Sequence, residues 1–214
     1  MKIAVLGGTG ALGSGLAKRW AAAGHTIVIG SRDADKARAA AAELAGEASG
    51  ATYASAAAEA DVVVLTVPFS GQIDVLEGVR DALQGKVLID TTVPLVPPKV
   101  SRVQLPPEGS AAMRAQIFLG EGVRVVSAFQ NVGARHLHAD YPIDCDVLVS
   151  GDDADAVEQA LELVADAGLT GVKAGGLVNA AAAEALTSIL IHINRVYKVH
   201  ESGIRITGLT PAAH

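Results

Sequence analysis

The first thirty-six residues constrain this chain more than any other stretch. Lys2-Ile3-Ala4-Val5-Leu6 is an apolar run, followed at once by Gly7-Gly8-Thr9-Gly10-Ala11-Leu12-Gly13. An Ala-rich apolar segment, Leu16 to Ala23, stops at Gly24, and a second apolar run, Thr26 to Ile29, leads into Gly30-Ser31-Arg32. Short apolar runs bounded by glycine predict strands, and the alanine-rich segment predicts a helix. The order is therefore strand, glycine turn, helix, strand.

Each glycine of the turn has an expected task. Gly8 allows the tight turn, Gly10 lets a pyrophosphate approach the backbone, and Gly13 lets helix and strand pack closely. The free amides and dipole of the helix start then attract phosphate. With 23 glycines in the chain, a lone G-x-G-x-x-G is weak evidence. Its place between a strand and a helix, with a second strand at the right distance, makes a dinucleotide site the expectation.

The remaining chain alternates in the same way. Asp33 to Leu44 predicts a helix capped by Asp33 and broken at Gly46 to Gly50. Ala51-Thr52-Tyr53 suggests a short strand and Ser55 to Ala60 a short helix. Asp61 to Val67 is a β-branched run of the kind found in buried parallel strands, ending in Pro68-Phe69-Ser70-Gly71. Ile73 to Leu83 predicts a helix, and Lys86 to Asp90 a strand that ends in Thr91-Thr92 and a proline-rich loop. Ser110 to Phe118 predicts a helix, and Val123 to Phe129 a strand ending at Gln130-Asn131-Val132-Gly133. This grammar predicts a Rossmann-type α/β fold, a doubly wound parallel sheet. Its ligand edge is formed by Gly8–Leu12, Ser31–Arg32, Val67–Gly71, Thr91–Leu95 and Phe129–Gly133.

Beyond residue 140 the pattern changes. Asp146 to Ser150 and Thr170 to Ala174 predict strands, Asp153 to Ala167 a helix, and Ala180 to His200 a long helix. Ile204-Arg205-Ile206 suggests an edge strand, and Thr210 to His214 a loose tail. The expected division is a dinucleotide-binding domain over residues 1–140 and a small α+β C-terminal domain over 141–214, which closes the cleft and offers a dimer contact.

Composition narrows the function. A net charge of −6 argues against a general nucleic-acid binder. Aromatics make up 3% of the chain, so Ala, Val, Leu and Ile must build the core. Cys145 is the one cysteine, which excludes an intrachain disulfide, and its neighbours Asp144 and Asp146 raise rather than lower its pKa. The N-terminus enters a strand without a signal-peptide pattern, and no apolar run approaches the ~18 residues of a membrane span. A cytoplasmic protein with no membrane partner is expected.

NAD-selective sites usually place an acid at the end of the second strand. Here Ser31 and Arg32 stand at that place, with Lys36 one turn into the next helix. A hydroxyl, a guanidinium and an ammonium suit the 2′-phosphate of NADP. The plainer alternative is that Ser31 or Asp33 caps the helix while Arg32 and Lys36 are solvated. His136 and His138, near Asp140, are expected on a surface loop rather than at a metal. Arg135 is a candidate for an anionic ligand group. His192 and His200 are expected to pack or meet an interface, Asp152-Asp153 to form a turn and helix cap, and Asn194 and Arg195 to tie the last helix to the first domain.

Gly7-Gly8-Thr9-Gly10-x-Leu12-Gly13 followed by Gly30-Ser31-Arg32-x-x-x-Lys36 resembles the coenzyme F420-dependent NADP oxidoreductases. The likeness continues through Val64-Leu65-Thr66-Val67-Pro68, Val93-Pro94-Leu95-Val96-Pro97, Ser110-Ala111-Ala112 and Val125 to Phe129. It resumes at Cys145 to Asp153, Leu186-Thr187-x-x-Leu190, Asn194-Arg195 and Gly203-Ile204. The resemblance implies hydride transfer between NADP(H) and the deazaflavin coenzyme F420 (8-hydroxy-5-deazaflavin) as co-substrate, with the rings stacked face to face, in a homodimer. It implies that Gly8, Thr9, Gly10, Ala11 and Leu12 hold the pyrophosphate and Ser31, Arg32 and Lys36 the 2′-phosphate. Val67 and Pro68 would lie beside the nicotinamide ribose. Val93, Pro94, Leu95, Gln130, Val132 and Gly133 would bound the deazaflavin pocket. One departure is Gln130, where the family carries His; Gln keeps hydrogen bonding but cannot carry charge. No residue is expected to act as an acid, base or metal ligand, because transfer between two cofactors is mostly positioning. The alternatives are an NADPH-dependent reductase of a small carbonyl, imine or flavin-like substrate, and a non-catalytic NADP-binding sensor.

Overall fold

The computed structural model describes residues 1–139 and 141–209. Asp140 and the expected tail Thr210 to His214 lie outside the described residues. Among the described residues, eight strands form a single sheet in the order β3-β2-β1-β4-β5-β6-β7-β8. They are β1 Lys2–Leu6, β2 Thr26–Ser31, β3 Ala48–Thr52, β4 Val62–Leu65, β5 Val87–Asp90, β6 Arg124–Ser127, β7 Asp146–Gly151 and β8 Thr170–Lys173. The first six pair in parallel, in the doubly wound order with its reversal between β1 and β4. β7 runs antiparallel to β6, and β8 pairs parallel to β7, so the C-terminal strands extend the same sheet.

The helices are α1 Ala11–Ala22, α2 Ala34–Ala42, α3 Tyr53–Glu59, α4 Gln72–Val79, α5 Ala111–Leu119, α6 Ala134–His138, α7 Ala154–Asp166 and α8 Ala180–Tyr197. Alternation along the strands divides the core into two layers. Ile3, Val5, Val62, Val64, Val87 and Ile89 face one side, with Leu16 and Trp20 of α1 and Leu163 of α7. Ala4, Leu6, Val63, Leu65 and Leu88 face the other, with Leu76 of α4 and Ala112 and Leu119 of α5. Both faces are covered, which is why these strands read as continuous apolar runs instead of alternating ones. As composition requires, the core is mainly Ala, Val, Leu and Ile. Trp20 and Phe129 are exceptions: the Trp20 indole N–H donates to Leu163 O at 2.7 Å and its ring meets Phe129 edge-on at 5.9 Å. A buried aromatic of this size is worth about 3–5 kcal/mol against truncation, so α1, α7 and the end of β6 are pinned together.

Several expectations need correction. β3 begins at Ala48, inside the stretch expected only to break a helix. α2 packs so closely there that a Cβ on Gly50 would sit 2.2 Å from the Ala37 backbone; Gly50 serves that approach rather than a turn. Ile204–Ile206 is not a strand, although Asp146 N donates to Ile204 O at 2.8 Å and Arg205 pairs with Asp144 and Asp146. Helix α8 stops at Tyr197, where Lys198 takes a left-handed conformation. His136 and His138 lie on α6, a short helix packed on α1, rather than on a loop. Arg19 of α1 holds its end, donating to the carbonyls of His136, Leu137 and Ala139.

Candidate functional site

The parallel strand ends bring the predicted segments to one edge. Leaving β1, the turn takes its left-handed residue at Gly7, with φ +90°, and not at Gly8. Gly8 is needed for space: a Cβ there would stand 2.8 Å from Ile29 Cδ1 and 2.9 Å from Val5 O. Gly13 does allow close packing, because its Cβ would lie 2.5 Å from Thr66 Oγ1 and 2.8 Å from Gly7 O. Thr66 is itself fixed by donation to Leu6 O at 3.0 Å. Gly10 precedes α1 in extended conformation with no side-chain cap. Among the described residues, no protein acceptor takes the amides of Ala11 and Leu12. Thr9, Gly10, Ala11 and Leu12 thus form an uncapped helix start that fits a pyrophosphate.

At the end of β2, Ser31 is buried and its hydroxyl accepts from Asp33 N at 3.2 Å. Asp33 caps α2 by accepting from Asp35 N and Lys36 N, as its position in the sequence predicts. Arg32 and Lys36 are exposed and, among the described residues, make no ion pair with a carboxylate. The sequence did not single out Tyr53, which stands close enough to Arg32 for the cation to oppose the upward pKa shift that burial gives its phenol. Two cations without a carboxylate ion pair among the described residues, beside a hydroxyl, fit a 2′-phosphate.

Across the topological reversal, Val67 is buried and packs on the turn: a Cβ on Gly7 would meet Val67 Cγ1 at 3.0 Å. Pro68 is exposed and opens the short 3-10 turn Phe69–Gly71 that precedes α4. After β5, Thr91 bonds Leu65 O through both its amide (3.1 Å) and its hydroxyl (2.9 Å). Val93, Pro94 and Leu95 follow without regular structure, with Leu95 N donating to Val93 O at 2.7 Å. After β6, Phe129 is buried at φ +73°, an unusual angle for a bulky residue. Gln130 is 6% exposed, and its Nε2 donates to Asp90 O at 2.8 Å. Val132 is partly buried, and Gly133 leads into α6.

The polar groups behind this edge were not expected. Asp90 is fully buried; its Oδ1 accepts from Thr92 N at 2.8 Å and its Oδ2 from Gln72 Nε2 at 2.6 Å. Burial pushes its pKa up, and the bonds from Thr92 and Gln72 pull it back. Gln72 Nε2 also reaches Ala111 O at 2.9 Å. Glu184, 1% exposed on α8, accepts from Ala111 N at 2.6 Å and Ala112 N at 3.1 Å, capping α5 from outside. Burial pushes it to about 8 against those two bonds, with the Asp90 charge adding to the rise. Thr187 Oγ1 donates to Gln130 O at 2.8 Å, and Asn131 Nδ2 to Ala183 O at 2.8 Å. These contacts, together with Ser188 on Arg102 O, tie α8 to the sheet. Asn194 and Arg195 do not: Asn194 accepts from Ser202 N, and Arg195 meets His192.

Of the other candidates, His138 reaches the edge, its Nε2 3.0 Å from Ala11 O and 3.5 Å from Ser14 Oγ. Arg135 is held by Glu201, and His136 by Tyr141 and Glu201. No metal-ligand cluster occurs among the described residues. Cys145 is buried just before β7; burial raises its pKa, and the two flanking aspartates add to the rise. Asp153 caps α7, and Asp152 accepts from Leu177 N.

A family model described as NADP oxidoreductase coenzyme F420-dependent matches residues 2–94. The chain is 48% identical to the F420-dependent NADP reductase of Methanothermobacter thermautotrophicus, over 98% of this chain and 96% of that one. It is 39% identical to the F420-dependent NADP reductase of Methanocaldococcus jannaschii, over 98% and 99%. A crystal structure from Arthrobacter sp. FB24, provisionally called an F420-dependent NADP reductase, superposes with a TM-score of 0.83 at 28% identity, covering 97% of this chain and 99% of that one. An imine reductase from Bacillus cereus shares the fold alone, with a TM-score of 0.65 at 19% identity over 92% of this chain and 62% of that one.

Proposed function

Because the chain belongs to the coenzyme F420-dependent NADP oxidoreductase family, we propose that it passes a hydride between NADP(H) and coenzyme F420, with the two rings face to face. The observation that carries this is full-length similarity to F420-dependent NADP reductases, with the uncapped α1 start and the Ser31, Arg32 and Lys36 group on one strand edge. The two cofactors supply hydride donor and acceptor. The protein's part is to hold them and exclude water, so no side chain need act as acid or base. Thr9 to Leu12 would bind the pyrophosphate, and Val67 and Pro68 would flank the nicotinamide ribose. The loops Val93–Leu95 and Gln130–Gly133 would bound the deazaflavin. A carbonyl or imine reductase is not favoured. The test is to mix protein, NADPH and F420 and follow the deazaflavin absorbance. Exchange is expected; tight NADPH binding without exchange would overturn the reading.

The segment 141–214 would act as the smaller unit closing the cleft, in a cytoplasmic homodimer. Support for the dimer lies on α8, where Ala182, Ala185, Leu186, Ile189, Ile193 and Val196 recur at helical spacing on a face at least partly exposed. The span Leu177–Tyr197 has a mean hydropathy of 1.3, enough by length and composition to cross a membrane. It also carries Glu184, Thr187 and Ser188, which bond to the rest of the chain. An apolar face on an anchored helix suits a second copy of the protein. Ile189→Glu with Ile193→Glu is expected to halve the mass seen by light scattering. An unchanged dimer mass would place the interface elsewhere.

A further inference from the structure

We propose that Gln72 and Asp90 are positioning residues that fix the spacing of the three loops closing around the reacting rings, an inference that rests on the function proposed above. Those loops follow β4, β5 and β6, beyond the last ladder bonds, Thr91 N to Leu65 O and Ala128 N to Asp90 O. Asp90 is where they meet. Its carboxylate takes Gln72 Nε2, at the start of α4 just after the β4 loop, and Thr92 N in the β5 loop. Its backbone carbonyl takes Gln130 Nε2 from the β6 loop. The bonds then close on themselves. Gln130 O accepts from Thr187 of α8, Glu184 of α8 accepts from Ala111 N of α5, and Ala111 O accepts from Gln72.

Gln72, Asp90, Thr92 and Gln130 are 0%, 0%, 2% and 6% exposed. Oxygens of Gln72, Thr92 and Gln130 have no partner among the described residues, so the polar groups outnumber the bonds that hold the fold here. A core built for stability alone would place apolar side chains at such positions. Buried, directional bonds instead impose one geometry. Hydride transfer needs that, because reacting atoms must sit ~3–3.5 Å apart and a displacement near 1 Å costs about a hundredfold in rate.

The experiment compares Gln72→Leu with Gln116→Leu. Gln116 is a structural counterpart at the far end of β6, bonding Gly120 O, Val123 O and Val125 N. Gln72→Leu is expected to lower kcat for NADPH-to-F420 transfer about 10- to 100-fold, with KM for NADPH within about threefold. The deuterium isotope effect with C4-deuterated NADPH should rise as hydride transfer becomes limiting. Gln116→Leu should lower the thermal midpoint yet leave kcat and the isotope effect alone. Asp90→Asn, which keeps the Thr92 bond but sets an amide against Gln72 Nε2, should repeat the Gln72→Leu signature and serves if that variant does not fold. Hydrogen exchange on the protein without cofactors reads the tie independently: residues 91–95 and 128–133 should exchange about tenfold faster in Gln72→Leu, with β1 and α1 unchanged. Unaltered exchange in those loops overturns the proposal, and so does a kcat loss equal to that of Gln116→Leu. A wild-type protein that transfers no hydride to F420 defeats the proposed function instead, and the exchange comparison still decides whether the loops are tied.

Discussion

With both Arg32 and Lys36 replaced by alanine, KM for NADPH is expected to rise about 100-fold while KM for NADH moves less than about threefold. NADPH and NADH differ only in the 2′-phosphate, so the comparison isolates the residues that meet it. A hydrogen bond to a charged group is worth roughly 1.5–3 kcal/mol. Both cations are exposed, and solvent screening takes the lower figure, about tenfold for each. Asp33 Oδ1 is engaged with Asp35 N and Lys36 N as the cap of α2. The cap uses the amide of Lys36 and not its side chain, so the variant should keep α2 intact. Initial rates with each nucleotide at saturating F420 give the ratio, and raising the salt concentration should shrink it. Equal losses for both nucleotides would contradict a 2′-phosphate site.

The sheet could be read from the sequence because its physics is local. A strand buried on both faces must be apolar throughout, so Val62 to Leu65 and Val87 to Ile89 stand out in the sequence. The glycine turn was equally plain, although Gly7 and not Gly8 carries the left-handed angle. Ser31, Arg32 and Lys36 could be found because they sit within six residues along the chain. The buried polar circuit could not, since it joins Gln72 to Asp90 across 18 positions, Gln130 to Thr187 across 57 and Ala111 to Glu184 across 73. Two faint signals were present. Asp90 ends an otherwise apolar strand, and Glu184 is one acid inside an apolar helix. Either residue needs a partner once buried, but the sequence does not say which one.

Glu184 should make the stability of the cofactor-free protein fall as pH rises from about 4.5 to about 8. Its carboxyl titrates near the ordinary value of 4.5 in the unfolded chain and near 8 in the folded one, so folding takes up a proton between those limits. Below the window both states are protonated; above it both are ionised, and the full cost of a buried anion is felt. The slope is at most about 1.4 kcal/mol per pH unit, and the total reaches several kcal/mol, an order-of-magnitude figure. Asp90 is also raised by burial and acts in the same direction. Comparison with Glu184→Gln separates the two, since glutamine keeps the shape and one acceptor but does not titrate. At pH 5 the variant should be the less stable by about 1–3 kcal/mol, because Glu184 is then mostly protonated while the glutamine nitrogen cannot accept from one of the two α5 amides. At pH 8.5 it should be the more stable protein, with a melting temperature higher by on the order of 10 °C at roughly 2–4 °C per kcal/mol. Melting curves from pH 4.5 to 9 check this. A constant offset between the proteins would mean that the two α5 amides hold the carboxylate ionised throughout, so that Glu184 is a charged cap on α5 rather than a buried acid.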